Sequence, residues 1–435
     1  MSILSEEEIR EKLLDLIKEE TKPAIGCTEP VAVAFTVATG KKYMKSKTLK
    51  IDLKVSKNIL KNGKSVTIPN TEVCGLDIAA ALGGVCGDPE EGLFVFKNVN
   101  SDYLDKAKEM LKNKIVTLNP IENTDPVFVE ATLKGEKDEV IVILRGGHTN
   151  IDKVIVNGKI VFEKENKNKK ENKDCDFIKG LTLNDIREIT EDIDIKQLDF
   201  IMDGIVMNKE AAKEGLEKQK GLTLGSSLLK LQEEGKIGKD SATLARILTA
   251  AGSDLRMGGG MCPIMTSGGS GNQGLCVILP ITVVAEDIKA PKEKLQRAVF
   301  FGHAVNNFVK KYTGKLSAIC GCAIAAGIGA TAGIAWLLGG KDEEINGAIL
   351  NMLANLTGML CDGAKGSCAI KLSTSAYEAV VSAYLALNNI IVPNNTGIIG
   401  NTVEDTISNL EMLCKDGFYK ADDVMLSIAC KDVIY

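Results

Sequence analysis

Two long stretches of this chain carry no charge at all. Met257 to Ala285 and Leu316 to Gly340 contain no Asp, Glu, Lys or Arg, so neither can be an ordinary water-facing surface. The second is long enough to cross a bilayer, for which about 20 apolar residues suffice. It also holds two Cys and six Gly and is rich in Ala, while the first is full of Gly, Ser and Pro. Small residues let backbones approach closely, so the second stretch is read as a buried central helix rather than as a membrane span. Aromatic residues make up only 4% of the chain, against 42 Gly. Packing must therefore rely on Ala, Leu, Ile and backbone contact.

The hydrophobic pattern changes character near residue 175. Before it, 5–20 and 30–45 have helical periodicity, with Ser5 and Glu8 spaced for a capping box. T-L-K-I-D-L-K-V-S (48–56) alternates as a half-buried strand does, and 65–69, 92–97, 114–118, 126–133 and 138–144 are strand-like. Asn157-Gly158 supplies the type I′ turn of a hairpin. Residues 164–174 contain no apolar side chain and read as a loop or linker. After about residue 180 the expected helices are 182–192, 207–235, 240–251, 291–313, 316–338, 343–360, 373–388, 403–416 and 421–430. The expected fold is an α+β N-terminal domain (1–175) followed by an all-α, Gly/Ala-rich helical domain (176–435).

A formal charge of −5 offers no basic footprint for nucleic acid. With 45% apolar and 26% charged residues the chain is globular, and small-molecule chemistry is the expectation. The opening M-S-I-L-S-E-E-E-I-R lacks the basic and apolar regions of a secretory signal. The expected compartment is the cytoplasm, where the twelve cysteines stay reduced and available to metal. No membrane partner is expected, and self-association is left open.

Four segments hold candidate chemistry. Cys361 and Cys368 bracket C-D-G-A-K-G-S-C, and Cys320 lies upstream in L-S-A-I-C-G-C. Three thiolates presented by Gly-rich turns can hold three irons of a [4Fe–4S] cube, leaving one iron open as a Lewis acid. The pair Cys320-Gly-Cys322 is too short for a zinc knuckle; burial as small hydrophobes is the alternative. In A-I-G-C-T-E-P (24–30), Pro30 suits a first helical turn. That places Cys27, Thr28 and Glu29 at a helix N-terminus, where the dipole should depress the thiol pKa and make Cys27 a thiolate base or nucleophile, unless the segment is only a cap. M-T-S-G-G-S-G-N-Q-G (265–274) is neither a Walker loop nor a Rossmann turn, and reads as an anion nest suited to a carboxylate or as a plain turn. Only two histidines exist, which argues against a Ser–His–Asp triad or a His-rich metal site. His148 ends a strand at Gly-Gly and reads as a site residue, whereas His303 reads as a core histidine. Pyridoxal phosphate chemistry would need a suitably placed lysine, for which Lys61 is the candidate.

Taken together, G-C-T-E-P, K-N-G-K-S-V-T-I-P-N-T, G-G-H-T-N-I, S-G-S-G-N-Q-G, L-S-A-I-C and M-L-C-D-G-A-K-G-S-C-A-I-K resemble the L-cysteine desulfidase family, from about residue 20 to 430. The second half is more distantly similar to the α domain of iron–sulfur L-serine dehydratases. The resemblance implies a [4Fe–4S] cluster on Cys320, Cys361 and Cys368, with Cys322 a neighbour, and aligns Ser267–Gly274 with a substrate loop. Those dehydratases can close the open iron with a C-terminal cysteine. Here Cys430 is followed by K-D-V-I-Y, which does not fit that pattern.

The implied reaction is β-elimination of L-cysteine to pyruvate, ammonia and sulfide. The open iron would take the sulfur, and Cys27 would remove the α-proton, with His148 and Lys61 as the next candidates. Thr28, Glu29, Asn62, His148, Ser267, Gly268, Asn272 and Gln273 form the expected substrate-binding set. L-serine dehydration by the same chemistry and a cluster-bearing redox sensor are the rival readings.

Overall fold

The computed structural model describes residues 5–164, 175–314 and 317–429. The run 165–174, Leu316 and Cys430 lie outside them. The chain begins with α1 (Glu6–Glu20), which Ser5 and Glu8 cap reciprocally. A two-residue strand β1 (Pro23–Ala24) and α2 (Thr28–Tyr43) follow. The six-stranded sheet has the order β3-β2-β4-β5-β6-β7. It consists of β2 (Thr48–Ser56), β3 (Val116–Ile121), β4 (Phe128–Gly135), β5 (Glu139–Arg145), β6 (Ile151–Val156) and β7 (Lys159–Glu163). Only β2 and β3 are parallel; the crossover between them carries α3 (Lys57–Gly63), α4 (Leu76–Cys86) and α5 (Ser101–Lys112). Asn157 and Gly158 turn β6 into β7 with φ of 50° and 77°, as a type I′ turn requires. Ile51, Leu53, Val55, Val129, Ala131 and Leu133 point from the sheet into a core shared with α2, which leaves β7 exposed along its length.

Helices dominate the rest. They are α6 (Leu183–Asp192), α7 (Asp199–Glu217), α8 (Leu224–Glu233), α9 (Ser241–Met257), α10 (Gly271–Asp287), α11 (Lys292–Thr313), α12 (Ala325–Leu337), α13 (Asp342–Leu356), α14 (Cys368–Leu387), α15 (Val403–Met412) and α16 (Tyr419–Ala429). Both uncharged stretches lie inside this bundle, as α10 and α12, which are buried over nearly their whole length. Gly302 of α11 and Gly329 of α12 meet backbone to backbone: a Cβ on Gly329 would stand 2.3 Å from the Gly302 carbonyl. Side chains there would force the helices apart and forfeit close packing. No helix among the described residues is long and apolar enough to cross a membrane. Leu13, Leu14, Leu16 and Ile17 of α1 belong to this helical core rather than to the sheet.

Several sequence expectations need correction. Residues 65–69 are not a strand but a single bridge, Thr67 to Cys74. The segment expected as a strand at 92–97 begins in a 3₁₀ turn over Pro89–Phe94, capped by Asp88. The expected helix 207–235 breaks, because Gly221 and Thr223 both take left-handed φ, near 59° and 55°. Among the described residues helix 316–338 starts only at Ala325, residues 317–324 forming a loop that carries Cys320 and Cys322. Helix α10 was invisible to periodicity because nearly every side chain in it is buried.

Candidate active site

A two-residue ladder brings together segments some 240 positions apart. Pro23 pairs with Met265 and Ala24 with Ile264. Thr266 N–H donates to the Lys22 carbonyl at 3.0 Å, and Lys22 N–H donates to Thr266 Oγ1 at 2.9 Å. Buried Asn208 clamps the far side, its Oδ1 accepting from Met265 N–H at 2.8 Å. The Cys27 turn is thereby set beside the Ser/Gly loop. A second short bridge, Ile319 to Leu360, joins the two cysteine loops. Cys320 N–H donates to the Met359 carbonyl at 2.8 Å and Cys361 N–H to the Ala318 carbonyl at 2.7 Å.

One cavity results. Its wall includes Cys27, Thr28, Glu29, Asn62, His148, Gly268, Asn272, Gln273, Cys320, Cys361 and Cys368, as well as Cys322. Ser267 is the exception among the expected residues. It is fully buried, its Oγ accepting from Asn306 Nδ2 at 2.8 Å and lying 2.7 Å from His303 Nδ1. It braces the loop instead of lining the cavity, because the hydroxyl is already committed. His303 is the core histidine expected, and burial holds its imidazole down to about 3. Gly268 and Gly269 take φ of 53° and 75°, turning the chain so that Ser267 and Ser270 bond each other's backbone.

Three helices start on this cavity: α2 at Thr28, α10 at Gly271 and α14 at Cys368. Their dipoles, and the leading N–H groups of α2 and α10, make it a site for negative charge, those of α14 being bonded to the carbonyls of Lys365, Gly366 and Ser367. Buried Arg256 and Lys310 add to this, and sequence reasoning missed both. Lys310 Nζ donates to the Gly268 carbonyl and so holds the loop.

The thiol of Cys27 donates to Glu29 Oε2 at 2.8 Å, both residues being buried. Asn62 Nδ2 donates to Glu29 Oε1 at 3.2 Å, and His148 Nε2 stands 3.8 Å from the same oxygen, too far for a direct hydrogen bond. Burial alone would raise the Glu29 carboxyl. The His148 ring, the Cys27 thiol and Arg256 outweigh it and hold the acid down to about 2. Cys27 behaves oppositely to expectation: burial first, then the Glu29 charge, push its thiol well above the usual range despite the helix N-terminus. At rest it is therefore a protonated thiol facing a carboxylate. Lys61 is buried but its Nζ is turned to Asp422 of α16, at 2.6 Å, and it does not line the cavity.

Cys320 is pushed up by its hydrogen bond to Cys322 and by burial; burial raises Cys361 and takes Cys368 to about 11. The thiols are arrayed around the cavity rather than gathered on a point. Among the described residues no three His, Cys, Asp or Glu groups close on a single metal ion. Asn62 Oδ1, His148 Nε2, Arg256 Nε and Asn272 Oδ1 are buried on this wall without a hydrogen-bond partner in the protein. Unmet polar atoms at that density mark a site built for a polar guest.

Relatives share the whole chain. A Clostridium botulinum (strain Langeland) protein named UPF0597 is 89% identical over 434 residues, covering 100% of both chains. A UPF0597 protein of Clostridioides difficile is 40% identical over 419 residues, covering 95% of this chain and 98% of its own. One of Clostridium tetani is 40% identical over 417 residues, covering 96% and 97%. A match to the serine dehydratase alpha chain family extends over residues 26–427 and takes in every side chain of the cavity: the chain belongs to that family.

Proposed function

We propose that this protein is an L-cysteine desulfidase, a carbon–sulfur lyase that converts L-cysteine and water to pyruvate, ammonia and sulfide. The observation that carries the reading is the meeting, on one cavity, of Cys320, Cys361 and Cys368 with the buried Cys27–Glu29 pair. Soft donors spread around a shared space suit a polynuclear cluster better than a lone ion, and three helix N-termini beside buried cations suit its anionic thiolates. Held by Cys320, Cys361 and Cys368, a [4Fe–4S] cluster would supply a Lewis-acidic iron without a protein ligand, soft enough for sulfur.

The chain's own residues supply the rest. Elimination requires a proton to leave Cα while the C–S bond breaks. The thiolate form of Cys27, its sulfur oriented by the Glu29 carboxylate that the thiol hydrogen-bonds at rest, accepts the proton from Cα. His148, Cys27 and Arg256 keep Glu29 charged although it is buried, and Asn62 fixes its orientation. The turn at Gly268 and the first residues of α10 fix the orientation of the amino acid. Val127, Ile319 and Ala364 contribute apolar surface to the cavity wall.

L-serine, the substrate implied by the family description, is the competing reading, because a hydroxyl could leave in place of a thiolate. Anaerobic protein assayed for sulfide from L-cysteine and for pyruvate from L-serine separates the two. Higher kcat/KM for L-cysteine supports the proposal, and the reverse preference overturns it.

A further inference from the structure

Arg256 sits in the last turn of α9 and is only 3% exposed, with its charge favourably near a helix C-terminus. Its Nε has neither solvent nor a hydrogen-bond partner, and among the described residues no carboxylate forms an ion pair with its guanidinium. Asp254, the acid on the same helix, is committed elsewhere, accepting from Leu222 N–H at 3.1 Å and Gly225 N–H at 2.9 Å. Glu29 feels the guanidinium's field but stands beyond ion-pair contact, its oxygens taken by Cys27 and Asn62. A buried charge without a partner is one of the most costly groups a fold can hold. Its retention on a cavity wall points to an anion that arrives from outside.

We propose that Arg256 is the carboxylate clamp of this site. The planar guanidinium matches a carboxylate with two parallel hydrogen bonds. It lies against the first residue of α10: a Cβ on Gly271 would come within 2.5 Å of Arg256 Nε. The unbonded N–H groups of that first turn therefore address the same spot as the fork. Asn272 Oδ1, buried and without a partner on the same wall, is an acceptor for the α-ammonium group. The ligand class is an α-amino acid small enough to leave its side chain among the cysteines. The assignment rests on the amino-acid reading proposed above, and the alternative use of the charge is to offset the cysteine thiolates.

Arg256→Gln and Arg256→Lys in anaerobically prepared holoprotein distinguish these uses. L-alanine, which binds as an amino acid but has no leaving group, is titrated calorimetrically, and iron and labile sulfide are assayed alongside. The clamp predicts that Arg256→Gln weakens L-alanine binding about 10- to 100-fold with metal content unchanged, Arg256→Lys falling between. It also predicts a ligand-free thermal midpoint no lower than the parent's, since an uncompensated buried charge has been removed. Undiminished L-alanine affinity in Arg256→Gln, no L-alanine binding by the parent protein, or loss of iron with affinity retained would each overturn it. If the parent binds L-alanine through Arg256 yet releases no sulfide from L-cysteine, the clamp stands and the desulfidase reading fails.

Discussion

Cys27 and Glu29 share a hydrogen bond of 2.8 Å at the start of α2, with the thiol as donor and the carboxylate as acceptor. The pair is buried, and its two members are driven in opposite directions, the acid kept ionised and the thiol kept protonated. A proton-transfer unit can be assembled this way without a histidine base.

Cys27→Ser should keep the cluster and still bind L-cysteine yet lose most turnover, because a hydroxyl gives up its proton far less readily than a thiol and is seldom available as a base. Exchange of the substrate α-proton with deuterated solvent should slow in parallel. Loss of iron from this variant would make Cys27 a ligand. Normal turnover would move the base to His148, the remaining candidate on the wall.

Glu29→Gln removes the acceptor while preserving shape. Turnover should fall about 10²- to 10⁴-fold, the usual contribution of a positioned acid–base group. The thermal midpoint is the control: a structural role would lower midpoint and activity together, whereas proton transfer requires activity to fall at a nearly constant midpoint.

Cys320→Ala, Cys361→Ala and Cys368→Ala should each lose iron, sulfide and activity, because two thiolates hold a cube poorly. Cys322→Ala should retain all three. Exposure to air should abolish turnover and iron with a reductant should restore it. A Cys361 variant with full iron content would refute the ligand set.

His303 gives a pH test of the scaffold. Its folded pKa, about 3, lies below the ordinary 6.5 because burial disfavours the charged ring. The contribution to stability is therefore fully present above pH 6.5 and is lost as the pH falls, by up to about 1.4 kcal/mol per pH unit, since the unfolded chain takes up a proton that the folded chain refuses. Denaturant unfolding at several pH values between 6.5 and 5 should show this slope, and His303→Gln should flatten it. An unchanged slope in the variant would mean that His303 is not the group responsible.

Much of the site was legible in the chain because its parts are punctuated. Pro30 marks the helix start after Cys27, and Gly-rich turns frame Cys361 and Cys368. The 48–56 strand and the Asn157-Gly158 hairpin were visible because alternation and turn chemistry are local. Arg256 and Lys310 were missed because Arg256 lies beyond the expected 240–251 helix and Lys310 stands beside Lys311 near the end of the 291–313 one, where the ordinary inference for a cation is a solvated face. Burial comes from how α9 and α11 pack. The meeting of Cys27 with the Ser/Gly loop depends on the pairing of Pro23–Ala24 with Ile264–Met265, two residues each, too short for any periodicity to reveal. The inverted pKa of Cys27 has the same origin: the helix N-terminus is local and readable, while the desolvation that overrides it is tertiary.

The most direct test of the account is to titrate anaerobically prepared protein with L-cysteine, and separately with L-alanine, while recording the visible absorption and circular dichroism of the cluster. The account predicts a brown protein whose spectrum changes with L-cysteine, which carries a sulfur for the open iron, and changes far less with L-alanine, which binds without one. A protein that contains no iron yet releases sulfide in metal-free aerobic buffer, or a cluster whose spectrum ignores L-cysteine during turnover, would contradict it.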